Sequence, residues 1–244
     1  MSGAAGRLMG IGLGPGDPEL VTVKAVRLMQ AAPVVAYFAK AGRRGHARTI
    51  AERWLTGVFE ELPLAYPVTT EIPFDDPAYV AQMAAFYEAS AQRIAAHLAA
   101  GRDVALLCEG DPLFYGSFMH LHIRLRGAFE VDIVPGVTGM SGCWTAAGAP
   151  MTWGDDILTV LPGTLPLEAL TARLAASDAV GVMKIGRNFS KVREALAAAG
   201  LLHRAIYVER GTQAGEVVMP LADKRDSAAP YFSMVLVPGH GRRP

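Results

Sequence analysis

Residues 103–116 constrain this chain more than any other stretch. Asp103-Val-Ala-Leu-Leu reads as a buried strand, and it runs into Leu107-Cys108-Glu109-Gly110-Asp111-Pro112-Leu113-Phe114-Tyr115-Gly116. A glycine at the carboxyl end of a strand lets a ligand approach the backbone, and a proline fixes the exit of the loop. In an open α/β sheet, ligands bind at such strand ends. A second turn, Gly12-Leu13-Gly14-Pro15-Gly16-Asp17-Pro18, follows the first apolar run and repeats the Gly-Asp-Pro element. Two such turns far apart in sequence imply one cleft lined by several strand ends.

The rest of the chain alternates short apolar runs with longer helical ones. Strands are expected at Leu8–Leu13, Val34–Phe38, Val58–Leu62, Asp103–Leu107, Glu130–Val134, Ile157–Leu161, Ala179–Ile185, Ala205–Val208 and Phe232–Val237, most of them bounded by Gly, Pro or a charged turn. A first helix is expected over Pro18–Ala31, with Leu20, Val23, Ala25, Val26 and Leu28 as its apolar stripe. The longest, Ala78–Ala100, has Pro77 at its start, Asp75 and Asp76 as candidate caps, and Gly101 at its end. Further helices are expected at Gly139–Ala147, Pro166–Ala176 and Phe189–Ala199. This alternation implies parallel βαβ units. The turn Val134-Pro135-Gly136-Val137-Thr138 is the candidate hinge between an N-terminal α/β domain, 1–135, and a C-terminal one, 136–244.

Composition narrows the partners. The chain has 244 residues, 51% of them hydrophobic, enough for one large core or two modest ones. Lys and Arg number 23, as do Asp and Glu, which argues against broad electrostatic binding of nucleic acid. The two cysteines, Cys108 and Cys143, form no CxxC pattern, so neither a disulfide scaffold nor a zinc site is expected. His120 and His122 stand two apart, a spacing that shares no helical face, and no metal is expected there. No apolar run reaches the roughly 20 residues of a membrane span. Met1 to Arg7 is too short and too poor in apolar residues for a signal peptide, so a cytoplasmic location is expected.

Five motifs occur in order: Gly12-Leu-Gly-Pro-Gly-Asp-Pro-Glu-Leu, Glu109-Gly-Asp-Pro, Val134-Pro-Gly-Val-Thr, Met183-Lys-Ile-Gly-Arg-Asn and Val208-Glu-Arg-Gly-Thr. Together they resemble the tetrapyrrole methylase family over nearly the whole chain. The resemblance implies two α/β domains with an inter-domain cofactor cleft, S-adenosylmethionine as cofactor, and a homodimer. In that picture the N-terminal domain takes the tetrapyrrole side and the C-terminal domain completes the cleft. Tyr66-Pro-Val-Thr-Thr-Glu, the extension Leu113-Phe-Tyr-Gly-Ser-Phe-Met-His-Leu-His, Met140-Ser-Gly-Cys-Trp and Pro230-Tyr-Phe-Ser-Met-Val-Leu-Val-Pro-Gly narrow it to the corrin-building branch. That branch implies methyl transfer to C20 of precorrin-2, and the resemblance favours the metal-free ring over the cobalt-loaded one.

Carried over by motif, Pro15, Glu109, Gly110, Asp111, Phe114, Thr138, Gly139, Ile185 and Gly211 are the expected cofactor contacts. Many relatives have Gly where this chain has Glu109, so backbone and side-chain roles both remain open there. Glu109, Asp111 and Tyr115 form the shortlist for a catalytic base, although Asp17 and Asp111 also suit helix caps and Tyr115 suits packing. Cys108 is most simply a small buried side chain, and Trp144 either stacks on the macrocycle or fills the core. Precorrin-2 carries several carboxylate arms, which arginine pairs with bidentately. Lys40, Arg43 and Arg187 are the expected substrate contacts, with Arg44, Arg48 and Lys184 as further candidates. Competing readings are a related methylase acting on RNA or protein and a non-enzymatic nucleotide-binding scaffold. A nicotinamide enzyme is disfavoured because Gly12-Leu-Gly-Pro-Gly lacks GxGxxG spacing.

Overall fold

A computed structural model describes residues 4–68 and 76–241, leaving Asp75 and the motif residues Thr69, Thr70 and Glu71 outside the described residues. The chain divides into two compact units, Met1–Thr138 and Gly139–Pro244.

The first unit holds a five-stranded parallel sheet. Its strands are β1 (Leu8–Gly12), β2 (Val34–Lys40), β3 (Glu60–Tyr66), β4 (Val104–Cys108) and β5 (Val131–Val134), in the order β3-β2-β4-β1-β5. The three central strands are almost wholly buried because helices cover both faces, so they read as continuous apolar runs rather than alternating ones. On one face Ala105 and Leu107 of β4 pack with residues of α1 (Val23–Ala31) and α2 (His46–Ile50). On the other, Val104, Leu106 and Cys108 pack with α3 (Pro77–Ala99) and α4 (Phe118–Leu125). Asp76 caps α3 by accepting from the Ala78 N–H at 2.8 Å, and Pro77 occupies its first turn as expected.

Several expectations are corrected here. The stretch 18–31 is a 3-10 turn, Pro18–Leu20, followed by a separate α1. Thr22 Oγ1 accepts from Ala25 N–H at 3.1 Å, and that cap starts a new helix where one continuous helix was expected. Val23 faces outward, 85% exposed, and Ala25, Leu28 and Met29 carry the apolar face. The third strand starts two residues later and ends four later than its apolar run implied. Val58 is fully exposed, and Pro63 is tolerated because β3 is an edge strand. Helices α2 and α4 were not foreseen.

The second unit has α5 (Gly139–Ala146), β6 (Leu158–Pro162), α6 (Leu167–Ala175), β7 (Ala179–Met183), α7 (Phe189–Ala198), β8 (Ile206–Glu209), β9 (Val217–Pro220) and β10 (Ser233–Val237). Its sheet has the order β6-β7-β10-β8-β9. The expectation of parallel βαβ units fails in this half. β6 and β7 are parallel, but β10 runs antiparallel to both β7 and β8, and β9 is antiparallel to β8. The cause is local: the β8–β9 and β9–β10 connections carry no helix long enough for a parallel crossover. Helices α6 and α7 pack on one face around Leu170, Phe189, Val192 and Tyr207. Cys143 of α5 and Met151 pack on the other, with Trp144 half-buried against them as a core aromatic.

Candidate methyl-transfer site

In the first unit the carboxyl ends of all five parallel strands lie along one edge, and the glycine turns meet there. Gly110 N–H donates to the Gly14 carbonyl at 2.8 Å, Gly14 N–H returns a longer bond of 3.3 Å, and Leu13 N–H donates to Cys108 O at 2.9 Å. The turn after β5 closes the cluster. A Cβ on Gly136 would sit 2.1 Å from the Gly110 carbonyl oxygen and 2.9 Å from Gly12 Cα, so only a glycine fits against these two backbone segments. Gly110 itself has φ +64, where a side chain would be strained.

Asp111 stitches these turns together. One carboxylate oxygen accepts from Leu113 N–H at 2.9 Å, and the other accepts from Gly136 N–H at 3.1 Å. Both of its oxygens thus accept from backbone, and Asp111 organises the turns. Asp17 behaves likewise, accepting from Glu19 N–H at 2.8 Å. Pro15 is buried between Gly14 and Gly16. Phe114 and Tyr115 stand edge to face with ring centroids 5.0 Å apart, and Tyr115 is 43% exposed.

Glu109 continues the row of β4 residues that face α2, one step beyond Leu107. Its Oε1 lies 3.7 Å from His46 Nδ1, and 39% of its side chain is exposed. Protein surrounds the carboxyl closely enough to push its pKa up, and His46 together with the Ala47 backbone N–H pulls in the opposite direction. His46 was not foreseen. Its only signal in the sequence was a position just after the basic loop 40–44.

Of the substrate candidates, Lys40 and Arg43 are exposed and share the turn after β2, where Arg43 N–H donates to Lys40 O at 2.9 Å. Arg48 points elsewhere. It is 6% exposed and binds Glu61 Oε1 through two nitrogens at 2.9 and 2.7 Å, so it ties α2 to β3. Arg44 pairs with Glu52 at 2.8 Å. An aromatic cluster also went unforeseen. Phe38 stacks on Tyr66 at 5.4 Å, Phe86 packs on Tyr66 at 4.9 Å, and the Ser117 hydroxyl joins Tyr66 and Tyr87 at 2.7 and 3.1 Å. His120 stacks on Tyr87 and His122 on Phe118. Among the described residues no three His, Cys, Asp or Glu side chains converge as metal ligands.

In the second unit, β7 and β8 both run antiparallel to β10, so their carboxyl ends share an edge. The turn after β7 holds Ile185, exposed Lys184 and Arg187, and the turn after β8 holds Gly211. Ile185 is fully buried in the core, so it can meet a ligand only through its backbone. Gly211 lies against α5, where an added Cβ would come within 3.0 Å of Cys143 Cα. Thr138 and Gly139 stand at the start of that helix, half-buried. Burial raises the Cys143 thiol to about 11, and the buried Cys108 thiol is raised too, so both are inert packing groups.

Strain marks the same turns. Among the described residues, the non-glycine residues with left-handed backbone are Tyr115, Lys184, Arg210 and Thr212, with φ of 56, 56, 50 and 68. Each such residue costs roughly 1–3 kcal/mol, and strained backbone clusters at functional sites. All four fall in or beside the motif turns.

Comparison with known proteins agrees with this geometry. The family described as Tetrapyrrole (Corrin/Porphyrin) Methylases matches residues 7–223. The chain is 59% identical to a precorrin-2 C(20)-methyltransferase of Sinorhizobium sp, covering 100% of both chains. It is 28% identical to the cobalt-precorrin-2 C(20)-methyltransferase of Salmonella typhimurium, over 95% of this chain and 96% of that one. Uroporphyrin-III C-methyl transferase from Thermus thermophilus, solved with S-adenyl homocysteine, superposes with a TM-score of 0.66 at 26% identity, covering 95% of this chain and 97% of that one. The chain is a methyltransferase belonging to the tetrapyrrole methylase family.

Proposed function

We propose that the chain transfers a methyl group from S-adenosylmethionine to C20 of precorrin-2, giving precorrin-3A in cobalamin biosynthesis. The observation that carries this reading is full-length 59% identity to a protein of that named activity, against 28% for the cobalt-precorrin-2 enzyme. That difference favours the metal-free ring over the cobalt-loaded alternative, cobalt-factor II.

The residues fit the cofactor. Gly12, Gly110 and Gly136 let the turns at the strand ends pack backbone against backbone, which fixes the amides and carbonyls that would hold a ligand there. Pro15, the Glu109 backbone, Gly110, Asp111 and Phe114 are its proposed contacts in the first unit, with Thr138 at that unit's end. Gly139, Gly211 and the Ile185 backbone are proposed in the second. The bound cofactor supplies an already activated methyl on sulfur, so the protein's task is orientation, worth roughly 7–11 kcal/mol when geometry is good. Lys40, Arg43 and Arg187 are the proposed partners of the substrate's acid arms. The partly exposed Phe38, Tyr66 and Phe86 rings offer an apolar wall at the ends of β2 and β3.

We further propose a homodimer, from the family resemblance, and a cytoplasmic location, in keeping with two buried, unbridged cysteines. Light scattering that gave a monomer mass at micromolar concentration would refute the dimer. The function is tested by incubating the protein with precorrin-2 and methyl-labelled S-adenosylmethionine. One trimethylated product with the label on C20 is expected. Label at another carbon, or transfer only to the cobalt-loaded ring, overturns the assignment.

A further inference from the structure

Glu109 sits where a strand row leaves the core. Along β4, Ala105 and Leu107 face the helix pair α1–α2, and Glu109 is the next residue on that side, one position before the glycine turn. Its carboxyl is thus held against α2 at the strand-end edge, with one flank open.

Close packing places His46 beside it. A Cβ on Gly45 would lie 2.1 Å from the Phe38 carbonyl oxygen, so the chain enters α2 tight against β2. From inside the fold, Arg48 anchors the same helix to Glu61, whose other oxygen accepts from Tyr37 hydroxyl at 2.7 Å. The cations nearest His46 in sequence are engaged elsewhere, Arg44 with Glu52 and Arg48 with Glu61. Asp111, two residues from Glu109, has both oxygens bonded to backbone. Cys108 faces the opposite side of the sheet and stays neutral through burial. The titratable group that faces Glu109 is therefore His46, together with the Ala47 N–H.

Methylation at C20 leaves a proton to be removed. As the ring carbon forms its bond to the methyl carbon, the carbon–sulfur bond breaks and its electron pair stays on sulfur. C20 then carries both a methyl group and its original hydrogen, and the ring is cationic. Loss of that hydrogen as a proton returns the C–H pair to the ring and restores its charge.

We propose that Glu109 is the base that takes this C20 proton, and that His46 is a positioning residue that holds and tunes it. This rests on the proposed function above. A carboxylate pushed upward by burial is a better-matched base near neutral pH than an ordinary one. The rival role, contact with the methyl donor, is separable by experiment.

The test combines single-turnover formation of the deprotonated product with calorimetric binding of S-adenosylhomocysteine. Glu109→Gln is expected to slow formation of the deprotonated trimethylated product ~10²–10⁴-fold, the usual size of a lost general base, while product-nucleoside affinity stays at the wild-type value. Deuterium at C20 should slow Glu109→Gln more than it slows wild type, because proton loss becomes limiting. Glu109→Asp should recover part of the rate. His46→Ala removes an interaction that lowers the Glu109 pKa, so the acid limb of its pH–rate profile should move to higher pH. Wild-type rates of deprotonated-product formation by Glu109→Gln, or a rate loss that tracks lost nucleoside affinity with no new isotope effect, overturns the proposal. No transfer by wild type would instead overturn the proposed function, and this inference with it.

Discussion

Replacing Gly136 by alanine tests whether the site is built by backbone packing. The new Cβ would stand 2.1 Å from the Gly110 carbonyl oxygen and 2.9 Å from Gly12 Cα and C. All three neighbours are backbone, so no rotamer change relieves the clash and the turns must part. Parting them strains the bond from Gly136 N–H to the Asp111 carboxylate at 3.1 Å and the Gly110–Gly14 bond at 2.8 Å. Overpacking costs about 1–3 kcal/mol. A lost bond to a charged group adds about 1.5–3 kcal/mol. The sum, about 2.5–6 kcal/mol, is a large share of the ~5–15 kcal/mol typical of a domain. For a unit of this size it corresponds to a fall in Tm on the order of 10–20 °C. Thermal melts and urea titration measure it, and calorimetry with S-adenosylhomocysteine follows the displaced turn. Gly127→Ala, where an added Cβ meets nothing within 4 Å, is the control and should stay within ~0.5 kcal/mol of wild type. If Gly136→Ala were as stable as that control and bound the nucleoside normally, the close-packed reading of the three turns would be wrong.

The ion pair under α2 carries a pH signature. The Tyr37 hydroxyl first, and Arg48 after it, hold the Glu61 carboxyl below its usual range. A depressed carboxylate contributes stability above the unfolded value near ~4.3 and loses it as pH falls through the folded value. Wild type should therefore weaken more steeply below about pH 4 than Glu61→Gln, read from urea midpoints across pH, and parallel curves would refute this. Arg187→Ala should weaken binding of the tetrapyrrole roughly 10–150-fold and leave S-adenosylhomocysteine binding unchanged, as titration with each ligand will show. Equal loss for both ligands would move Arg187 out of the substrate's reach.

Much of this arrangement was legible in the residues, and the gaps have physical causes. Apolar runs ending in Gly-Asp-Pro located β1, β4 and their turns because burial and turn chemistry are both local signals. The capped ends of α3 were legible for the same reason. Helix α2 spans five residues, too few for a periodic stripe, and α4 lies within a segment dominated by turn chemistry. Strand direction is not local, since β10 would look the same whether parallel or antiparallel to its neighbours. The partner of Glu109 lies 63 positions upstream, and only the β2–β4 pairing brings α2 to it. Arg48 looked like a ligand contact because charge is visible in a sequence and its burial beside Glu61 is not.

The central place of β10 has a consequence for how the protein is made. In the first unit the strand synthesised last, β5, is an edge strand added to a sheet already assembled. In the second unit it is the middle one, and without it β6–β7 and β8–β9 are two separate pairs. Synthesis runs at roughly 5–20 residues per second, so β6–β7 waits roughly 3–11 s and β8–β9 roughly 1–3 s with open edges before Ser233–Val237 is made. Open edges template association with other chains. A premature stop or a cut just before Ser233 would thus yield an intact first unit tethered to a sheet without its centre, a product suited to aggregation or degradation rather than to partial activity.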